Sequence, residues 1–398
     1  MAAEFIHREL EALKEAGLYR SLRRVDGEQG PALIVDGREV LNFCSNNYLG
    51  LANHPALRAA AKEAIDRYGC GSGASRLISG NMELHERLEE RIARLKGTEG
   101  ALLFNSGYQA NTGLLSCLAG AGDTIFSDAL NHASIIDGCR LTHARVVVYP
   151  HFDLNRLEDE LRRSAAGKKL IVTETIFSMN GDEAPLSEIV ELAERFDAHV
   201  MVDEAHATGV CGPNGAGVVA KLGFGERVFV QMGTLGKALG GFGAYVAGSR
   251  ALRELMINRC RTFIFTTSLP PSVLATSIAA IELLEKEPQR RLALWHNCRA
   301  LRDGLKKVGF NLGDSQSQIQ PVMIGDAREC MALSARLFEK GVYCQGIRPP
   351  TVPAGTSRLR VTVMATHTHE HLRRALRAFE EVAQDRVEGR GSRIEDRG

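Results

Sequence analysis

The sequence predicts an α/β protein with a large, mostly parallel sheet domain followed by a smaller α/β domain. Helix-period runs alternate with short apolar runs from about Pro55 to Ser249. The apolar runs lack the in-out alternation of a half-solvated strand, so they read as strands of a parallel sheet covered on both faces. A long helix pattern, Pro270 to about Lys286, separates this array from a second, shorter one, and 398 residues are long for one core.

Residues 3–16 have the charged, amphipathic pattern of a short helix, and the segment through Gly50 reads as extended and turn-rich. Helices are predicted near 55–67, 83–96, 107–119, 132–142, 153–164 and 186–197. Between them lie ALLFNS (101–106), DTIFSD (123–128), RVVVYP (145–150), KKLIVTET (168–175) and HVMVDEA (199–205), followed by RVFVQMGT (227–234) and GAYVAGS (243–249). The second array has helices at 288–309, 329–341 and 369–385, with strands IQPVMIG (319–325) and RLRVTVMA (358–365). The expected organisation is an N-terminal helix and extended segment (1–50), a large domain (51–286) and a small C-terminal domain (287–385). A polar, Gly/Arg-rich tail (386–398) is expected to be disordered.

Charges nearly cancel, 49 Lys+Arg against 48 Asp+Glu, which argues against a nucleic-acid binder but not against a small anionic substrate. The nine cysteines are dispersed without a CxxC pair, as expected of free thiols in a reducing compartment. The N-terminal MAAEFIHRELEALKEAG has no apolar signal core, and no apolar run is long enough to span a bilayer. The expectation is a soluble cytoplasmic protein with no membrane partner.

Ligands of doubly wound sheets bind outside the carboxyl ends of the strands. The residues there are Ser106-Gly107-Tyr108, Asp128, Glu174 to Ser178, Asp203 to His206 and Thr234 to Lys237. GTLGKALGG is not a phosphate loop of NTPases, because Gln231 stands where the first glycine belongs and Ala238 where Ser or Thr would bind magnesium. No metal site is expected: HTHEH (367–371) has the wrong spacing, and His367 and His369 read as surface residues at a helix start.

Lys237 sits among Gly233, Gly236, Gly240 and Gly241, which permit close approach of a bulky ligand. Such a lysine suits Schiff-base chemistry, although a solvated loop lysine fits the same local pattern. Asp203 can pair with a protonated pyridine nitrogen or cap a helix. His206 can bond a phenolate oxygen or simply pack, and His132 can stack on a flat ring or cap a helix. Ser106-Gly107-Tyr108 opens a helix whose amides can bind phosphate, or is a plain strand-to-helix turn.

The strings SNNYLGL, SGYQAN, SDALNHASIIDG, ETIFSMNGD, VDEAHATGVCGPNG and TLGKALGGFG occur in order across most of the chain. Together they resemble the α-oxoamine synthases, pyridoxal-phosphate (PLP) enzymes of fold type I that join an amino acid to an acyl-CoA with loss of CoA and CO2. The resemblance implies PLP as cofactor, Lys237 as its Schiff-base lysine and the base at the substrate Cα, and Asp203 on the pyridine nitrogen. It implies His132 on the ring face, Ser178 and His206 at the phenolate oxygen, and Ser106, Gly107, Tyr108 and Thr234 around the phosphate. Thr266 and Thr267 would reach the phosphate of the other subunit, implying a homodimer with shared sites. Arg360, with Asn46 assisting, would bind the amino-acid carboxylate, Arg358 being the competitor, and Arg20 and Thr351 would contact the acyl substrate. GCGSGASRLISG (69–80) and IRPPTVPAGTSRLR (347–360) are most similar to the member that condenses L-alanine with a pimeloyl thioester. SDALNHASIIDG is equally similar to the member that uses glycine and acetyl-CoA. An aminotransferase or a silent regulatory subunit of the same fold is the reading from another class.

Overall fold

The computed structural model describes residues 4–165 and 167–395, with side chains described up to residue 385. The tail expected to be disordered, 386–398, lies outside the residues described with their side chains. In chain order the strands are β1 (Val25–Asp26), β2 (Ala32–Val35), β3 (Arg38–Asn42), β4 (Gly100–Phe104), β5 (Thr124–Asp128), β6 (Arg145–Tyr149) and β7 (Lys169–Glu174). They continue as β8 (His199–Asp203), β9 (Val230–Thr234), β10 (Ala244–Gly248), β11 (Ile319–Gly325), β12 (Val342–Tyr343), β13 (Gln345–Ile347) and β14 (Ser357–Thr362).

The chain divides into two compact units, one of residues 46–178 and 182–292, the other of residues 1–45, 179–181 and 293–398. The first holds a seven-stranded sheet in the order β4-β10-β9-β8-β7-β5-β6. Its pairs β5–β6, β5–β7, β7–β8 and β8–β9 are parallel, while β10 runs antiparallel to both β4 and β9. The apolar runs become these strands because β-branched residues fit a pleated surface buried on both faces. Leu102, Val172, Met201, Val230 and Val246, contributed by five of these strands, meet helix residues such as Leu114 and Ile135 in one core. Strand β6 departs from the expected two-sided burial: most of it is exposed, with Val148 62% accessible. It is the edge strand, paired only with β5, so its valines lack a second neighbour.

The second unit carries a four-stranded sheet, β1-β2-β3-β12, and a three-stranded antiparallel sheet, β11-β14-β13. One prediction fails there. His367 is 4% exposed, stacked on Phe43 at 4.3 Å, with Nδ1 accepting from Met364 N at 2.9 Å. Burial holds its imidazole down to about 3, so it is a neutral core residue rather than a surface one. His369 does lie exposed at a helix start.

Candidate active site

Within the large-sheet unit the parallel strands deliver their C-terminal ends to one edge, and the expected side chains collect there. Lys237 lies just beyond β9, in a turn closed by Leu235 N to Gly243 O, Gly241 N to Leu235 O and Gly240 N to Lys237 O, each 2.9 Å. Two of the surrounding glycines answer to the protein itself. A Cβ at Gly233 would lie 2.3 Å from the Tyr245 hydroxyl, and one at Gly240 2.4 Å from Ala52 N.

Lys237 Nζ stands 2.9 Å from His206 Nε2. His206 Nδ1 is 2.8 Å from the Tyr48 hydroxyl, which donates to Asn46 Oδ1 at 3.0 Å. His206 thus bridges the two side chains, with Nδ1 toward Tyr48 and Nε2 toward Lys237. Tyr48 and His206 are buried, so the chain of bonds is shielded from competing water.

Asp203 ends β8 as a buried carboxylate. Asn111 Nδ2 donates to its Oδ2 at 2.9 Å and Ala205 N to its Oδ1 at 2.8 Å. The cap reading holds, with one oxygen fixing the following turn, and both oxygens keep capacity for a further N–H donor. His132 also caps, its Nδ1 accepting from Ser134 N at 3.2 Å at the start of the helix Ala133–Arg140. Burial lowers its imidazole below the usual range, Asp203 opposing the drop and Lys237 adding to it, so it offers a neutral ring face. Glu174, at the end of β7, accepts from Ser178 N at 3.1 Å, and burial reinforced by Asp203 pushes its carboxyl up to about 8.

Ser106 caps the helix Gly107–Leu118, accepting from Gln109 N at 3.2 Å. Its first amides open toward the same strand edge, with Tyr108 half-exposed and bonded to Asp137. Thr234 Oγ1 accepts from Gly236 N at 3.2 Å and donates to Gly243 O at 2.9 Å. Asn105, the residue before Ser106, donates to Thr266 Oγ1 at 3.2 Å and Thr267 O at 2.7 Å, fixing that segment beside the helix start.

This donor set fits PLP: a carboxylate for the ring nitrogen, a neutral imidazole for the ring face, a helix N-terminus for phosphate and a lysine for the carbonyl carbon. Asn111 Oδ1 and Glu174 Oε1 are buried acceptors without a hydrogen-bond partner among the described residues, as expected where a polar group belongs. Tyr48 and Asn111 carry no role in the sequence reading. Tyr48 lies inside the string SNNYLGL, which is the one signal that could have drawn attention to it.

The remaining expected residues belong to the other unit. Arg20 and Thr351 line one cavity of about 630 Å3 with Tyr19, Arg23, Tyr343 and Arg348. Arg23 is committed to Asp36 at 2.8 Å and Arg348 to Gly17 O and Tyr19 O at 3.1 and 2.7 Å. Arg20 is exposed and makes no ion pair among the described residues. Arg358 and Arg360 are both buried on β14. Arg358 spends its guanidinium on Thr356 O at 2.9 Å and on Asn180 Oδ1.

The pattern of the family "Aminotransferase class I and II" matches residues 38–379. An 8-amino-7-oxononanoate synthase of Geobacter sulfurreducens is 55% identical over 382 residues, 95% of this chain and 97% of that protein. A structure of SPT with its PLP internal aldimine superposes with a TM-score of 0.91 at 35% identity, covering 96% of this chain and 98% of the other. An 8-amino-7-oxononanoate synthase from Francisella tularensis superposes with a TM-score of 0.75 at 28% identity, covering 87% and 99%. Lysine, carboxylate, imidazole and helix start thus sit in a chain that belongs to the class I and II aminotransferase family of fold type I and, within it, to the PLP-dependent α-oxoamine synthases.

Proposed function

We propose that this chain condenses L-alanine with a pimeloyl thioester, giving 8-amino-7-oxononanoate, CO2 and the free thiol of CoA or of a carrier protein, as a step of biotin synthesis. The observation that carries the substrate choice is the cavity holding Arg20 and Thr351, supported by 55% identity to a synthase of that name. A pimeloyl chain ends in a carboxylate, for which an arginine without an ion-pair partner is a suitable anchor, whereas an acetyl group has no use for one.

Bound in the large-sheet unit, PLP supplies the electron sink that makes loss of a proton or of CO2 from Cα accessible. Asp203 keeps the ring nitrogen protonated, and Asn111 and Ala205 N keep Asp203 aimed. His132 supports the ring face, and Ser178 and His206 bond the phenolate oxygen. The amides at Gly107 and Tyr108, with Ser106 and Thr234, hold the phosphate. Lys237 Nζ removes the alanine Cα proton and later returns one, with His206 Nε2 at 2.9 Å to orient it. Arg360 takes the alanine carboxylate, with Asn46 assisting.

The working form is a cytoplasmic homodimer, Thr266 and Thr267 of the partner subunit completing the phosphate site. Phe265, Leu77 and Ile78, 71%, 50% and 80% exposed, flank the threonine segment and would be covered in it. Among the described residues no helix is long and apolar enough to cross a membrane.

The test is thiol release by the holoenzyme with alanine plus pimeloyl-CoA against glycine plus acetyl-CoA, with mass analysis of the product. The proposal expects turnover and a nine-carbon amino-oxo acid with the first pair. Preference for the second pair overturns the substrate choice, and transamination without thiol release overturns the condensation.

A further inference from the structure

Lys96 and Glu204 form an ion pair with both side chains at 0% exposure, in the interior of the large-sheet unit. A buried ion pair is rarely worth more to stability than apolar residues of similar volume, so stability alone does not account for it. Its place in the chain suggests what does, because Glu204 follows Asp203 directly and precedes His206 by two residues.

The Glu204 carboxylate accepts from Lys96 Nζ, from Val218 N at 2.6 Å and from Val219 N at 3.0 Å. Lys96 Nζ also donates to Ala216 O. The chain closes so tightly on the carboxylate that a Cβ at Gly217, where φ is 112°, would lie 2.3 Å from Glu204 Oε2. The backbone of Glu204 is equally engaged. Its N–H donates to Met232 O on β9 at 2.7 Å, and its carbonyl accepts from Ala207 N, Thr208 N and Thr208 Oγ1 at 3.0, 2.8 and 2.9 Å. One residue therefore fixes the whole turn that presents Asp203 and His206.

The network continues to the lysine side of the site. Thr208 Oγ1 and the Tyr245 hydroxyl are 2.7 Å apart. Tyr245 on β10 pairs with Gly233 on β9, and β9 ends at Thr234, three residues before Lys237.

We infer that Lys96 and Glu204 are positioning residues for the reaction, locking the turn of Asp203 and His206 to the strand end that carries Lys237. Neither touches cofactor or substrate; both act through the three groups that do. The inference rests on the site roles proposed above.

The experiment uses the holoenzyme of three variants: Glu204→Gln, the charge-free pair Lys96→Met with Glu204→Gln, and Tyr245→Phe. Three properties are measured: Tm, kcat and KM for alanine, and the induced circular dichroism of the bound cofactor, which reports ring orientation. Glu204→Gln leaves Lys96 buried without a counter-charge, and its Tm should fall. The charge-free pair should recover most of that Tm. Its kcat should stay down by about tenfold or more, since misplacement near 1 Å costs on the order of 10²-fold. Its KM for alanine should hold within about twofold, with a changed dichroism band, because the loss is of geometry rather than of uniform binding. Tyr245→Phe should move kcat and the band in the same direction by less. Wild-type kcat and band in the charge-free pair overturn the inference. If that pair does not fold, Tyr245→Phe decides: an unchanged kcat and band overturn it, and a drop in both supports it. A wild-type holoenzyme with no cofactor band would overturn the proposed site roles instead, so the two failures are distinguishable.

Discussion

Lys237, His206, Tyr48 and Asn46 form one chain of hydrogen bonds inside the large-sheet unit, whereas Arg20 and Thr351 stand exposed on the wall of a 630 Å3 cavity in the other unit. In the first region each group is held by a neighbour that is itself held, as Asp203 is by Asn111 and Ala205 N, and burial keeps water from loosening the set. In the second, Arg23 and Arg348 are tied down while Arg20 is exposed and makes no ion pair among the described residues. The difference separates two jobs. Proton transfer at a carbon needs fixed geometry, and the fold supplies it from strand ends. Selection of an acyl chain needs one charge near its far end, and an exposed side chain can supply that without disturbing the chemistry.

Lys237→Ala should break the comparison most severely. The variant should still bind cofactor, through Asp203 and the helix Gly107–Leu118, yet lose turnover almost completely, as steady-state assay will show. Asp203→Asn comes next. A charge-assisted hydrogen bond contributes about 1.5–3 kcal/mol, so deuterium exchange at alanine Cα should slow by about tenfold or more with the fold intact. Unchanged exchange would make Asp203 only the cap of the turn at Ala205.

Arg20→Ala tests the other region with a smaller, selective effect. The KM for pimeloyl-CoA should rise by about threefold to tenfold, a typical loss for a partly solvated charge contact, while that for alanine barely moves. The preference over a methyl-terminated acyl-CoA of equal length should narrow. A loss of kcat with both KM values unchanged would show that the two regions are not separable in this way.

The smallest expected effect is on stability. His151 bridges Asp128 at 2.9 Å and Asp182 at 3.1 Å beside the ends of β5 and β6. Burial opposes its charge, but the two carboxylates outweigh burial and raise its imidazole to about 9. Its folded pKa lies above its unfolded value near 6.5, so its contribution is complete below pH 6.5 and fades as pH rises through 9. Urea unfolding of the wild type should show stability falling across that window by no more than one proton's slope, about 1.4 kcal/mol per pH unit. His151→Asn should remove that slope.

Much of the site was legible because it lies where chain geometry places it. Asp203, Thr234 and Lys237 follow apolar runs that could hardly be anything but strands, and β11 and the helix Glu83–Lys96 begin and end where the pattern does. What the pattern could not convey is which distant residues meet. Asn111 looks like an ordinary polar residue inside a helix, yet it holds Asp203 from 92 positions away. Lys96 is simply the last residue of the predicted helix 83–96, and only the fold buries it on Glu204. His367 looked exposed among polar neighbours, and Phe43, from the far end of the chain, covers it. The valines of β6 promised burial that an edge position withholds.

The most direct test of the account is to reduce the holoenzyme with borohydride, digest it and locate the pyridoxyl group by mass spectrometry. The account predicts a single modified peptide carrying the label on Lys237. A label on Lys96, Lys221 or any other lysine would contradict it, because Asp203 and His206 would then be gathered around the wrong amine.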